Sequence, residues 1–209
     1  MKSILYAIVF TLMLPPTAMS DDKSSVRELI KSKLDAVTSV LQKKDRVKEA
    51  KNKEILEIVM PIFDFSLMAR LTLGQKYWPG LSEEKKERFT ELFVKRLQDS
   101  YLEKLTLYTG DEKIIFKDPV SSKKKIHIPT ELIAQDNKIS MLYKFYKSKN
   151  DWKIYDVEIE GVSIVQTYRS QFDQILGRGS IDDLLLKLEQ PENKPLLSND
   201  PAISEHRNK

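Results

Sequence analysis

Trp152-Lys153-Ile154-Tyr155-Asp156-Val157-Glu158-Ile159-Glu160-Gly161-Val162-Ser163-Ile164-Val165-Gln166-Thr167-Tyr168-Arg169-Ser170-Gln171-Phe172 changes its period half-way. Its first part alternates, with Tyr155, Val157 and Ile159 on one side and Trp152, Ile154, Asp156 and Glu158 on the other. That is the pattern of a half-buried strand. From Gly161 onward the apolar positions are Val162, Val165, Tyr168, Phe172 and Ile175, spaced three and four apart as on one helix face. A strand therefore turns at a glycine into a helix whose apolar face folds back over the sheet.

The rest of the chain extends this reading outward. Upstream, residues 24–42 and 45–59 read as two helices, the second ending before Pro61. Asp64 is a candidate N-cap for a short helix over 65–73, with Gly74 at its C-terminal end. Ser82 caps a long helix carrying Phe89, Leu92, Phe93, Leu97, Tyr101 and Leu105 on one stripe and reaching Tyr108, before Gly110. Strand patterns follow at 113–118, 123–130, 137–147 and 151–159, joined by short polar connections that predict an antiparallel meander. Helices over 162–176 and 181–189 close the domain. The expected fold is α+β: a curved antiparallel sheet of about four strands packed against a helical layer, with an apolar interior between them.

The ends predict processing and disorder. Lys2 followed by the apolar run Ile4–Leu14 and by Ala18-Met19-Ser20 has the layout of a secretory leader. Cleavage after Ser20 would start the mature chain at Asp21 and deliver it beyond the inner membrane. The folded domain is then 21–190. Residues 191–209, rich in Pro, Asn, Ser and charge, are expected to be a disordered tail. The chain has no cysteine, which excludes disulfides, thiolate metal sites and a Cys nucleophile. Its formal net charge of +4 falls to +3 without Lys2. Lys123-Lys124-Lys125 lacks interleaved aromatics, so it reads as a solvated hairpin rather than a nucleic-acid surface, with at most weak attraction to anionic lipid.

No catalytic residue, metal ligand or cofactor is expected. His127 lies in a strand pattern and His206 in the tail, Ser163 lacks the second glycine of a nucleophile elbow, and no glycine-rich loop is present. Asp156, Glu158 and Glu160 read as carboxylates on a wet strand face. Arg169 is expected to pair with a carboxylate such as Asp156, the other reading being a place at the mouth of the apolar interior.

Three blocks carry a family resemblance: Trp152–Val157 with Glu160-Gly161-Val162-Ser163, then Tyr168-Arg169-Ser170-Gln171-Phe172, and upstream Pro61–Phe65 with Met68-Ala69-Arg70, Leu73-Gly74 and Trp78. In order and spacing these resemble the MlaC-like, or toluene-tolerance, family of periplasmic phospholipid carriers, over roughly residues 25–189. Thr167 stands where the pattern has Asn, and Arg178-Gly179 where it has a glycine pair. The resemblance implies that Phe93, Leu97, Tyr101, Met141, Tyr143, Tyr155, Val157, Ile159, Val165, Tyr168 and Phe172 line a space for acyl chains, where composition alone favours a packed core. It implies a phospholipid ligand, shuttling between an inner-membrane ABC transporter's substrate-binding subunit and an outer-membrane lipoprotein complex, and transient membrane proximity. Carriage of another apolar lipid such as a hopanoid, an exported scaffold with a filled core, and a small hydrolase or isomerase on a similar sheet are the other readings.

Overall fold

The computed structural model describes residues 18–105, 108–134, 137–149 and 151–191. The order is helices, strands, helices. Helices α1 (Ala18–Leu41), α2 (Lys48–Val59), α3 (Phe65–Tyr77) and α4 (Glu83–Leu105) precede strands β1 (Lys113–Phe116), β2 (Val120–Ser122), β3 (Lys125–Ala134), β4 (Asn137–Ser148), β5 (Asp151–Ile159) and β6 (Val162–Ser163), and α5 (Ile164–Leu176) and α6 (Ile181–Glu189) follow. Residues 1–17 of the expected leader, and residues 192–209 of the tail with His206, fall outside the described residues. None of the described helices is long and apolar enough to cross a membrane.

The α+β class read from the sequence is what the chain adopts. One antiparallel sheet runs β1-β3-β4-β5-β6, and β2 pairs with β3. The two strands beyond the expected four are only three and two residues long. Local chemistry explains the boundaries. Asp64 accepts a hydrogen bond from Leu67 N at 2.9 Å and starts α3. Ser82 Oγ caps α4 through Lys85 N, and a reciprocal Ser180–Asp183 capping box starts α6. Gly74 adopts φ +64 and ψ −175, a conformation reserved for glycine, and kinks α3 where the sequence placed its end. Tyr108 lies outside α4, so the helical stripe does not reach it.

Two corrections concern the segment that decided the fold. The turn after β5 is a two-residue hairpin, with Glu160 at φ +50 and Gly161 at φ +77, which pairs Val162 with Ile159. Helix α5 therefore starts at Ile164, capped by Ser163, and Val162 is half-exposed instead of on the helix stripe. The second correction is a β-bulge. The register jumps between Lys144 and Phe145, so Phe145 pairs with Ile154 while Lys144 pairs with Asp156. Tyr155 is the extra residue, and the inside–outside alternation slips by one across it. Ile154, expected outward, is fully buried in the core. Tyr155, expected inward, turns to the opposite face.

Candidate functional site

The helix-facing side of the sheet can be followed in rows, because cross-strand partners share a face. Ile126, Phe145 and Ile154 form one row and are sealed, at 3%, 0% and 0% exposure. Ile128, Tyr143 and Val157 form the next and are also buried. One step further, Phe116, Thr130, Met141 and Ile159 run across four strands. Only Thr130 of that row is buried; its three apolar members are half-exposed. Beyond them Ile114, Leu132 and Ile139 form a last apolar row, again half-exposed.

Over the sealed rows the helices supply a dense aromatic group. Phe89, Phe93 and Phe172 are fully buried. Phe93 stacks on Phe89 with ring centres 6.1 Å apart and meets Tyr168 edge-on at 5.4 Å. Tyr168 also reaches Ser100 Oγ at 3.2 Å. Leu97 and Val165 complete this interior. Tyr101, one turn beyond Leu97 on α4, is only half-buried.

Of the expected wall residues, Phe93, Leu97, Tyr143, Val157, Val165, Tyr168 and Phe172 thus meet in one packed interior. Tyr101, Met141 and Ile159 lie at its half-open margin, packed against it. Tyr155 joins neither. Its hydroxyl lies 3.2 Å from His127 Nε2, its ring meets Tyr146, and Lys125 Nζ stands 4.9 Å from its centre. At the boundary between sealed and open rows sits one polar group. The Tyr143 hydroxyl donates to Met141 Sδ at 3.5 Å and bonds the Thr130 side chain, and burial pushes its phenol pKa up, so it stays neutral.

Asp156 departs from the wet-face reading. It is 4% exposed. Its carboxylate accepts from Ser163 Oγ at 2.7 Å, Val165 N at 3.1 Å and Lys144 Nζ at 2.9 Å. The same lysine binds Glu158. Asp156 therefore ties β5 to the start of α5, where a carboxylate is favoured by the helix N-terminus. Arg169 is not its partner. That guanidinium lies 4.0 Å from Asp173 and packs over Gly74, where an added Cβ would stand 3.2 Å from Nη2. Glycine at 74 thus serves both the kink and this approach. No sequence signal marked either arrangement, since alternating carboxylates look alike before their strand has a register.

A family model described as MlaC protein matches residues 31–190. The chain belongs to the MlaC family. The intermembrane phospholipid transport system binding protein MlaC of Haemophilus influenzae is 24% identical over 147 residues, covering 68% of this chain and 68% of that one. Among solved structures, the phospholipid-binding protein from Ralstonia solanacearum, in complex with a phospholipid, matches with a TM-score of 0.72 and 19% identity, over 79% of this chain and 96% of that one. At that identity the second likeness establishes the fold alone. The MlaC fold here carries a sheet whose helix-facing side is sealed at one end and half-open at the other.

Proposed function

We propose that this MlaC-family chain binds a glycerophospholipid by its acyl chains and carries it through the periplasm, between an inner-membrane ABC transporter's substrate-binding subunit and an outer-membrane lipoprotein complex. The half-open apolar row of Phe116, Met141 and Ile159 carries the reading, supported by family membership. These side chains offer a place for acyl chains to begin, with Tyr101 above and Tyr143 and Val157 deeper in. Each methylene removed from water gains ~0.8 kcal/mol, so a two-chain lipid gains on the order of 20 kcal/mol or more. A bilayer offers nearly the same gain, so affinity for the tails alone sets no direction. Direction would come from the partners at each membrane. The buried carboxylate of Asp156 on β5 is bonded to part-buried Lys144 and to the start of α5, a structural tie that leaves no free group for catalysis and favours a carrier over an enzyme.

The packed Phe89–Phe93–Phe172 group favours a second reading, an exported scaffold with a filled core. Organic extraction of purified protein followed by mass spectrometry separates them. Stoichiometric phospholipid is the expected result. A polycyclic lipid would redirect the ligand class, and protein that never retains lipid, even after incubation with phospholipid vesicles, would leave the scaffold reading.

A further inference from the structure

Among the described residues two arginines are not exposed, Arg27 on α1 and Arg96 on α4. Arg96 gives its guanidinium to main-chain carbonyls at the end of α6: Lys187 O at 3.0 Å, Leu188 O at 3.5 Å and Gln190 O at 2.8 Å. Arg27 has no hydrogen-bonded or ion-paired partner among the described residues. Its contact is aromatic, with Cζ 5.9 Å from the centre of the Phe116 ring. A guanidinium drawn part-way out of water with its N–H donors unused is set for an acceptor from outside the chain.

Phe116 gives the place of that acceptor. It ends the partly buried row of Thr130, Met141 and Ile159 on the β1 side. Val162, the cross-strand partner of Ile159, extends the same row on the other side. The two ends differ in charge. The Arg27 cation stands at the Phe116 end. The turn at the Val162 end carries Glu160, whose carboxylate accepts from Ser140 N. An anion lying along this row is therefore attracted to the β1 edge and repelled from the β5–β6 turn.

We propose that Arg27 binds the phosphodiester of the carried glycerophospholipid, holding the headgroup at the β1 edge while the acyl chains run from Phe116 towards Met141 and Ile159. The inference rests on the lipid-carrier reading and adds a polar anchor to it. The guanidinium fork matches two oxygens of a phosphodiester, and the single charges neutralise each other. That group is common to glycerophospholipids whatever alcohol they carry. Arg27 thus selects phospholipid over neutral lipid of the same tails, and does not select one headgroup over another. One contact at a partly open site orients the lipid and still lets it leave for a membrane.

The test offers lipid-free protein vesicles of phosphatidylglycerol containing a minor share of diacylglycerol with the same acyl chains. Bound lipid is counted by mass spectrometry and normalised to the vesicle composition. The unaltered chain should enrich phosphatidylglycerol over diacylglycerol by about tenfold. Arg27→Gln should bring the ratio close to that of the vesicles with diacylglycerol uptake unchanged, and Arg27→Lys should keep part of the enrichment. Full enrichment in Arg27→Gln would overturn the inference and leave the carrier reading standing. Equal loss of both lipids in that variant would make Arg27 a wall residue, and would overturn it too. An unaltered chain that takes up neither lipid would sink the carrier reading and this inference with it. Phosphorus NMR with inorganic phosphate separates the two sources of the anion. Inorganic phosphate held through Arg27 and retained after lipid loading would assign the site to a free anion and overturn the lipid anchor.

Discussion

The rows of Ile126 and Ile128 are sealed between sheet and helices, whereas the apolar side chains in the rows of Thr130 and Leu132, on the same face of the same strands, are only partly buried. The helical cover explains the difference. The α4 stripe is buried through Phe89, Leu92, Phe93 and Leu97 and then reaches Tyr101, which is only partly buried. Burial of apolar area stabilises by ~25 cal/mol per Å2, so a fold concerned only with its own stability would gain by covering Met141, Ile159, Ile139 and Leu132 as well. Partly covered apolar surface of this kind suits a ligand that completes the cover. One end of the sheet holds the molecule together, and the other is where an acyl chain can add to it.

The largest expected effect lies at the junction that secures the sealed end. Asp156→Ala removes the carboxylate shared by Lys144, Ser163 and Val165 N, leaving a part-buried ammonium with only Glu158. Breaking a buried pair from one side costs ~3–5 kcal/mol. Urea unfolding should show a midpoint lowered accordingly. Glu158→Ala, which leaves Asp156 in place, should cost much less. Equal costs for the two would mean that the cap on α5 contributes little and that the sealed end is held by packing alone.

A smaller effect probes the comparison directly, by placing the same bulk in adjacent rows. Val157→Trp puts an indole against buried Tyr143, and overpacking of that kind costs ~1–3 kcal/mol. Met141→Trp puts it in the half-open row, where the ring has room and the cost stays under about 1 kcal/mol. Thermal unfolding of lipid-free protein gives the stabilities, and extraction gives the lipid. Met141→Trp should keep the fold and lose the lipid. If instead it unfolds as readily as Val157→Trp, the two rows belong to one filled core and the open end is no site.

Much of this contrast was legible in the sequence, but not its decisive details. The stripes of α4 and α5 come from helical spacing and were read correctly at Phe93, Leu97, Val165, Tyr168 and Phe172. The alternation of β5 was read correctly at Val157 and Ile159 and wrongly at Ile154 and Tyr155. A bulge adds one residue without altering composition, so nothing in Lys153-Ile154-Tyr155-Asp156 announces it. The division between sealed and open rows was not legible at all, because Met141 and Tyr143 present the same pattern whether or not a helix reaches them. The Ser180–Asp183 box carries a capping spacing in the sequence, but only the helix over 181–189 was read there.

The smallest expected effect tests the outer surface of the sealed end. His127 lies opposite Lys144 in the register and faces Tyr155, with Lys125, Asp156 and Glu158 nearby. Partial burial holds its pKa below the ordinary 6.5; Lys144 and Lys125 push the same way, and Glu158 and Asp156 partly offset them. A depressed histidine binds fewer protons in the folded state than in the unfolded one. Its neutral form therefore supports the fold above about pH 6.5, and that contribution is lost as pH falls through the lower, folded value. The lowered carboxyls of Asp22, Glu131 and Asp183 act in the same direction, but below their ordinary values near pH 4. Between about pH 6.5 and 5, then, stability should decline in the unaltered chain and stay flatter in His127→Gln. Parallel curves for the two proteins would show that Tyr155 and His127 move apart freely, and that the bulge's outer face is not held by the packing beneath it.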